Sequence, residues 1–211
     1  TVDMAGFQKE MEAQKDRARS HAQFDGDHAR VRLYEELGVG NTNFTGYETL
    51  DGKSVVVGLI SMGLSVTEVP QGQELQLILQ ETPFYAEGGG QVGDGGTIGN
   101  SECEITIHDT KEAIPGLIVH YGILSKGTIS IGDTVQSQVD PIRRDDTARN
   151  HTATHMLHAA LRHVLGPHVR QAGSLVTGSR LRFDFSHIKA VTPEEMWQVQ
   201  FLVNEKIRHN A

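Results

Sequence analysis

Hydrophobic and polar residues follow two different periods along the chain. From about Asn43, short apolar segments have the spacing of β-strands. Residues 54–60 form a continuous apolar run typical of a buried strand, and residues 74–80 carry leucines at every second position. We predict further strands near 102–108, 116–121 and 134–139. Because Gly, Asp and Asn cluster between the strands without an intervening helix, the pattern predicts a small antiparallel β-barrel.

After Pro141 the apolar spacing changes to the period of an α-helix. We predict a helix from Thr147 to Leu165, with Asp145-Asp146-Thr147 offering N-caps and Gly166-Pro167 ending it. Four polar residues of this helix lie within about 60° of arc, namely His151, His155, His158 and Arg162. The apolar residues gather on the opposite face, so one face packs while the other carries imidazoles.

Two further elements follow the histidine helix. Residues 181–185 alternate as a strand, and Thr192-Pro193-Glu194-Glu195 forms a capping box with proline at the first helical position. The helix that begins there is predicted to run to about Arg208. A barrel followed by a helix, a strand and a helix defines an α+β fold, and we expect the sheet of this last part to be incomplete.

Composition narrows the class of protein. Residues from Ala5 to about Phe24 are rich in charged and amide side chains and predict an exposed linker helix. No stretch has the roughly 18–20 apolar residues of a membrane span, and no signal peptide is visible. The single cysteine, Cys103, excludes an internal disulfide and is expected to pack at the start of a barrel strand. We therefore expect a cytoplasmic protein without a membrane partner.

Charge is distributed unevenly along the 211 residues, whose net charge is −8. Residues 43–140 carry 13 acidic and 3 basic side chains, whereas residues 141–211 carry 6 acidic and 10 basic ones. The acidic average argues against a generic nucleic-acid binder. The excess of basic side chains in residues 141–211, however, suits this part of the chain to binding phosphate groups.

Histidines four residues apart on a helix can present two nitrogens to one divalent metal. His151 and His155 have this spacing, and His158 is a conceivable third ligand. A zinc-protease site is excluded because that motif places a glutamate base directly after the first histidine, where this chain has Thr152. A solvated polar face is the alternative explanation of the histidines.

Three consecutive glycines, Gly88-Gly89-Gly90, precede Gln91 in the barrel region. Such a run is expected where the backbone turns tightly or approaches a ligand closely. A nucleotide P-loop is excluded because no Gly-Lys-Ser/Thr follows, and a hairpin loop between strands stays open. Asp184 and His187 allow an acid–base pair, although we favour a polar pair at a strand end.

Four motifs occur in order over about 100 residues. They are residues 83–94, residues 150–155, Gln171-Ala172-Gly173-Ser174-Leu175 and residues 181–187. Together they closely resemble the editing region of bacterial alanyl-tRNA synthetases and their free-standing editing relatives. The resemblance implies that residues 1–42 end a tRNA-recognition region, that residues 43–140 form a translation-factor-like barrel and that residues 141–211 begin a zinc-bearing editing domain.

The resemblance also implies hydrolysis of mischarged seryl- or glycyl-tRNA(Ala), since a second site compensates for poor discrimination between small side chains. The family's synthetases ligate alanine to tRNA(Ala) with ATP and magnesium in a domain that would precede Thr1. A free-standing editing protein is the nearest alternative. A non-catalytic tRNA-binding module and a barrel-based protein-interaction module are the alternatives from other classes.

In the family pattern His151 and His155 are zinc ligands, Gln171 lies in the editing pocket and Thr152 recognises the serine hydroxyl. Gly88, Gly89, Gly90 and Gln91 are expected to face the same cleft and the tRNA end. The family completes its zinc site with a later Cys-x-x-x-His, so we expect at most a half-site here and an inactive chain. Candidates for contacts with the tRNA backbone flank the histidine helix: Arg143, Arg144, Arg149, Arg170, Arg180 and Arg182.

Overall fold

The computed structural model describes residues 24–209 together with Gly6 and Met11. Apart from Gly6, Met11 and Phe24, the helix predicted from Ala5 to about Phe24 therefore lies outside the described residues. The chain divides into two compact units, Thr1–Val39 and Gly40–Ala211. Helix α1, Phe24–Glu36, belongs to the first unit. The second unit holds both the barrel and the segment predicted to edit, and the boundary between those two parts stays a prediction.

Short strands fill the second unit from Asn43 to Val139. They are β1 (Asn43–Phe44), β2 (Asp51–Ser61), β3 (Leu64–Ser65), β4 (Glu68–Pro70), β5 (Glu74–Leu79), β6 (Glu81–Thr82), β7 (Gly96–Gly99), β8 (Glu104–Ile114), β9 (Leu117–Lys126), β10 (Thr128–Ser130) and β11 (Thr134–Val139). Strands β2, β5, β9, β8, β7 and β11 pair in that order, and β11 also pairs with β2. The ring of antiparallel pairs closes a barrel, which confirms the predicted antiparallel barrel and is consistent with an α+β fold.

Side chains of alternating strand positions fill the barrel. Strand β11 buries every second residue, including Val135 and Val139, and β5 buries Leu75, Leu77 and Leu79. Cys103 is buried in the same core, as predicted, and burial raises the pKa of its thiol. Because the barrel is closed, each of its ring strands is hydrogen-bonded to a neighbour on both sides, and none of them has an open edge.

Two barrel strands are longer than their hydrophobic pattern predicts. Strand β8 continues to Ile114 and β9 to Lys126, and the two pair from Glu104 opposite Lys126 to Ile114 opposite Leu117. The extra residues include exposed polar side chains such as Lys111 and Glu112. These residues stay in the strands because their backbone groups are hydrogen-bonded across the β8–β9 pair, and such bonds do not require apolar side chains.

Helix α2 spans Pro141–Leu165 and carries the histidines. The Asp140 carboxylate accepts hydrogen bonds from the N–H groups of Ile142 and Arg143, and Pro141 stands at the first helical position. The prediction that Asp145-Asp146-Thr147 caps this helix is therefore wrong, because Asp140 already provides the cap. Its end at Gly166, whose N–H bonds to the Arg162 carbonyl, is confirmed.

Strands β12 (Gln171–Val176) and β13 (Leu181–Phe185) form a two-stranded antiparallel sheet, and α3 spans Pro193–His209. The predicted capping box is confirmed, since Thr192 and Glu195 each accept a hydrogen bond from the other's backbone N–H. A small core of Ala160, Leu161, Val169 and Val199 joins these elements to α2. Within the described residues no helix is both long and apolar enough to cross a membrane.

Candidate functional site

The glycine run forms a two-residue hairpin turn. Gly88 and Gln91 exchange both backbone hydrogen bonds, at 3.1 and 2.9 Å. Gly89 and Gly90, between them, have φ angles of +59° and +84°. A two-residue hairpin turn of this kind requires positive φ angles at both central residues, and glycine adopts such angles without steric cost.

A second constraint acts on Gly90 alone. A Cβ atom at this position would overlap the hydroxyl and the carbonyl oxygen of Ser174, in β12. The carbonyl of Gly90 accepts a 2.8 Å hydrogen bond from the N–H of Val176, and Val92 N–H donates to the Val176 carbonyl. The turn is thereby paired with β12, which attaches the barrel region to the segment that follows α2.

This pairing places Gln91 against the histidine helix. The Gln91 Oε1 atom lies 2.7 Å from Nδ1 of His151. Because a carboxamide oxygen only accepts hydrogen bonds, His151 donates from Nδ1 and keeps a lone pair on Nε2. That Nε2 atom lies 3.1 Å from Nε2 of His155, one helical turn away.

The two imidazoles have a spacing that suits a shared metal ion. Zinc binds imidazole nitrogens at about 2.0–2.1 Å in tetrahedral geometry, which separates two such nitrogens by about 3.3–3.4 Å. The observed 3.1 Å is close to this separation. Among the residues described here, however, no cluster of three or more His, Cys, Asp or Glu side chains could hold a metal. His158 is therefore not brought in as a third ligand.

A small cavity of about 60 Å³ opens beside the histidine pair. Its lining comes from three parts of the chain and includes the predicted site residues Gly89, His151, His155 and Gln171, together with His158 and Ser174. The Gln171 carboxamide nitrogen donates a 3.0 Å hydrogen bond to the Ser174 hydroxyl. The structure thus brings together the glycine turn, the histidines and the Gln-x-Gly-Ser segment that the sequence predicts as one site.

Thr152 lies apart from this cavity. Its side chain is exposed and lines another depression, with Asp145, Arg149 and Met156. Neighbouring residues on a helix point about 100° apart, so Thr152 cannot share the face of His151. The role predicted for Thr152 stays a prediction without support from this arrangement.

Two of the predicted tRNA-contacting arginines bond to the barrel region instead of being open to solvent. Arg143 donates to the carbonyls of Gly93 (2.9 Å) and His108 (3.2 Å). Arg144 forms an ion pair with the buried Asp94 and donates to the carbonyls of Gly46 and Pro83. The guanidinium groups therefore fix the start of α2 on the barrel.

The remaining candidates lie on the surface. Arg149 is exposed and pairs with Asp146 on its own helix, and Arg170 is exposed. Asp184 pairs with Arg182, while His187 lies 2.8 Å from His168. These partners favour the interpretation of Asp184 and His187 as polar groups at a strand end, and the Nε2 atom of His187 is buried without a hydrogen-bond partner among the described residues.

Sequence reasoning missed three contacts that build the site. Gln91 and His151 belong to two different motifs, whereas Gln171 and Ser174 lie within one, and the motifs specify neither hydrogen bond. The Arg144–Asp94 pair had a usable signal. Asp94 ends the glycine-rich motif of residues 83–94, and once it is buried its carboxylate requires a cationic or hydrogen-bonding partner.

Comparison with known proteins assigns the chain to a class. Residues 1–143 match the family described as tRNA synthetases class II (A). This match covers more than half of the chain, and the chain belongs to that family.

More similar relatives specify the kind of synthetase. The chain is 48% identical over 208 residues to the alanine–tRNA ligase of Chloroflexus aurantiacus, an alignment that covers 99% of this chain and 23% of the ligase. It is 46% identical over 207 residues to the alanine–tRNA ligase of Thermoanaerobacter sp. and 43% identical over 211 residues to that of Pseudomonas entomophila. The resemblance to alanyl-tRNA synthetases is confirmed. The chain spans about a quarter of the length of these relatives.

Proposed function

We propose that this chain forms part of an enzyme that ligates alanine to tRNA(Ala), using ATP and magnesium in a domain outside these residues. Within it, the cavity beside His151 and His155 contributes to an editing site that hydrolyses the ester of seryl- or glycyl-tRNA(Ala). The single observation that carries this proposal is the convergence of two imidazole nitrogens, 3.1 Å apart, at a small polar cavity. Its similarity to alanine–tRNA ligases supplies the substrate class.

His151 and His155 would hold the metal through their Nε2 atoms. A bound zinc ion supplies Lewis-acid polarisation of an ester carbonyl or of a water molecule. Gln91 fixes the tautomer of His151, because its carbonyl oxygen accepts the Nδ1 hydrogen, and such outer contacts set the orientation of metal ligands. The two histidines are two of the four ligands that a structural or catalytic zinc site requires.

Gln171 and Ser174 provide the polar side of the cavity. The carboxamide and the hydroxyl are bonded to each other, and both have remaining capacity to bind an aminoacyl group. The glycine turn lines the cavity beside Ser174 through Gly89, whose carbonyl accepts a 3.4 Å hydrogen bond from the Ser174 hydroxyl, and the absence of a side chain at Gly89 leaves space for a ligand.

The predicted arginines divide into exposed residues and residues that bond to the barrel. The exposed arginines of the predicted set suit contacts with tRNA phosphates, and they are Arg149, Arg170, Arg180 and Arg182. Arg143 and Arg144 attach α2 to the barrel, and we propose that they position the site instead of contacting tRNA phosphates. We propose a cytoplasmic enzyme, and we propose that the 211 residues alone hold a half-site and do not hydrolyse the ester.

The test compares clearance of seryl-tRNA(Ala) with alanylation in the longer enzyme that contains this sequence. We expect His151→Ala to abolish clearance and to leave alanylation unchanged, because the substituted residue belongs only to the second site. His163→Ala, on the exposed face of the same helix, is the matched control. Normal clearance by the His151→Ala enzyme would contradict the assignment and favour a non-catalytic tRNA-binding role for this segment.

A further inference from the structure

We propose that a cleft in the barrel region binds the guanidinium group of an arginine side chain on a basic polypeptide segment. This aromatic cleft has a volume of about 330 Å³, and its lining includes three aromatic and two acidic side chains: Phe44, Tyr47, Tyr85, Glu87 and Glu112. It shares no described lining residue with the cavity beside His151. Binding of a cation here is therefore independent of the proposed editing function.

Three rings at steep angles to one another form the apolar part of the cleft. The centroids of Phe44 and Tyr47 are 5.0 Å apart with planes at 83°, and those of Phe44 and Tyr85 are 6.2 Å apart with planes at 71°. Aromatic cages that bind organic cations likewise surround the ligand with several rings, whose negative faces attract the charge. The Tyr47 side chain is available to such a ligand, because it is 87% exposed.

Two of these rings are held by separate parts of the barrel region. Phe44 belongs to β1, which pairs in parallel with β6 and sets Phe44 opposite Thr82. The backbone N–H of Tyr85 donates a 2.8 Å hydrogen bond to the buried Asp94 carboxylate. The walls of the cleft therefore exist before a ligand arrives, which reduces the entropic cost of binding.

The acidic side chains leave the cleft with an excess of negative charge. Lys111 lies 3.1 Å from Glu87 and 3.2 Å from Asp109, so one ammonium group faces two carboxylates. The Glu112 carboxylate accepts a 2.7 Å hydrogen bond from the N–H of Gly116, and no basic side chain pairs with it among the described residues. Three carboxylates against one ammonium group attract a further cation.

This combination of rings and carboxylates suits a guanidinium group. Guanidinium stacks on aromatic faces and donates hydrogen bonds to carboxylates, whereas a quaternary ammonium ion has no hydrogen to donate. A nucleobase could also stack here, but Glu87 and Glu112 would repel its phosphate. Residues 43–140 as a whole carry 13 acidic and 3 basic side chains, which favours a basic partner. The volume is near the lower end of the roughly 300–1,000 Å³ of ligand pockets, enough for one long side chain.

The experiment titrates the isotope-labelled 211-residue chain with two blocked tripeptides and follows binding by NMR. One peptide is N-acetyl-Gly-Arg-Gly-amide, and the other carries citrulline, which has nearly the same shape but no charge. The backbone N–H signals of Gly88 and Gly116, which line the cleft, report binding. We expect the arginine peptide to bind at least about tenfold more tightly than the citrulline peptide.

Variants of the cleft test which side chains bind the cation. Tyr47→Ala should weaken binding of the arginine peptide by about three- to tenfold, whereas Tyr47→Phe should bind as wild type because only the ring is used. Glu112→Gln should also weaken binding, and its carboxamide oxygen can still accept from the N–H of Gly116. Trp197→Ala, which removes an exposed aromatic ring from α3, is the matched control and should not change the affinity.

Three results would overturn this proposal and leave the editing assignment untouched. The first is equal affinity of the arginine and citrulline peptides, or no binding of the arginine peptide at about 20 mM. The second is wild-type affinity in both Tyr47→Ala and Glu112→Gln. The third is tighter binding of adenosine 5′-monophosphate than of the arginine peptide at the same signals, which would identify a platform for a nucleobase instead.

Discussion

Gln91 and His151 are joined by a hydrogen bond of 2.7 Å across 60 residues of sequence. One residue belongs to the glycine-rich turn and the other to the histidine helix, so the turn determines which nitrogen of His151 carries its hydrogen. The lone pair of Nε2 is thereby directed to the point where His155 Nε2 also converges. A metal bound at that point would depend on Gln91, a residue that would not contact it.

Gln91→Ala should lower the affinity of the chain for zinc by about 10–100-fold, since outer partners of ligand histidines have effects of this size. Competition against a chromophoric chelator measures the change. Gln136→Ala removes an exposed glutamine from β11 and should have no effect. Equal zinc affinity of the Gln91→Ala and wild-type chains would show that the His151 tautomer is fixed by something else.

Gly90→Ala and Gly89→Ala should differ in stability although both residues have positive φ angles in one turn. At Gly89 an added Cβ meets no atom within 4 Å, so only backbone strain of about 1 kcal/mol is expected. At Gly90 the Cβ overlaps Ser174, which should cost about 1–3 kcal/mol more. Urea unfolding measures both variants, and equal losses would mean that the turn can move away from β12.

The barrel could be predicted from sequence because its strands bury one face and turn at glycine. Residues 134–139 show the pattern in full, with alternate residues buried. Strands of two or three residues, such as Leu64–Ser65, have no period to detect. The start of α2 was missed because its first turns are polar, and their arginines bond to carbonyls of the barrel, which no local pattern encodes.

The members of the candidate site could be predicted, but their contacts could not. His151 and His155 converge because a helix fixes their spacing. The approach of Gln91 depends on the pairing of Gly90 with Val176, 86 positions apart, and arises from tertiary structure alone. Thr152, by contrast, lines a different surface from His151 because adjacent residues of a helix point about 100° apart.

Asp94→Asn should destabilise the fold by at least about 2 kcal/mol, because it leaves the Arg144 guanidinium without its counter-ion. The Asp94 side chain is 4% exposed and that of Arg144 is 17% exposed. Arg149→Gln removes an arginine whose side chain is 72% exposed, and should change stability by less than about 1 kcal/mol. Urea unfolding at one pH compares the two, and a similar small loss in both would show that Arg144 does not depend on Asp94.

His120 in β9 is fully buried and neutral. Its Nδ1 lies 3.0 Å from the Leu77 carbonyl, to which it donates, and its Nε2 accepts from the Thr82 hydroxyl at 2.8 Å. Burial lowers the pKa of His120 from 6.5 to about 4, against the raising effect of the Leu77 hydrogen bond. The unfolded chain therefore binds a proton at this residue at a higher pH than the folded chain.

The free energy of unfolding should consequently fall as the pH drops from about 6.5 toward 4, while the His120 contribution is complete above pH 6.5. We expect a loss of about 2 kcal/mol from this residue by pH 4.5, since each unit between the two pKa values contributes about 1.4 kcal/mol. His120→Gln can retain a donor and an acceptor but does not titrate, so subtracting its pH profile removes the contribution of the carboxylates. Urea unfolding at pH 7.0, 5.5 and 4.5 provides the two profiles. Parallel profiles would show that His120 becomes protonated without unfolding the barrel, through a rearrangement around Thr82.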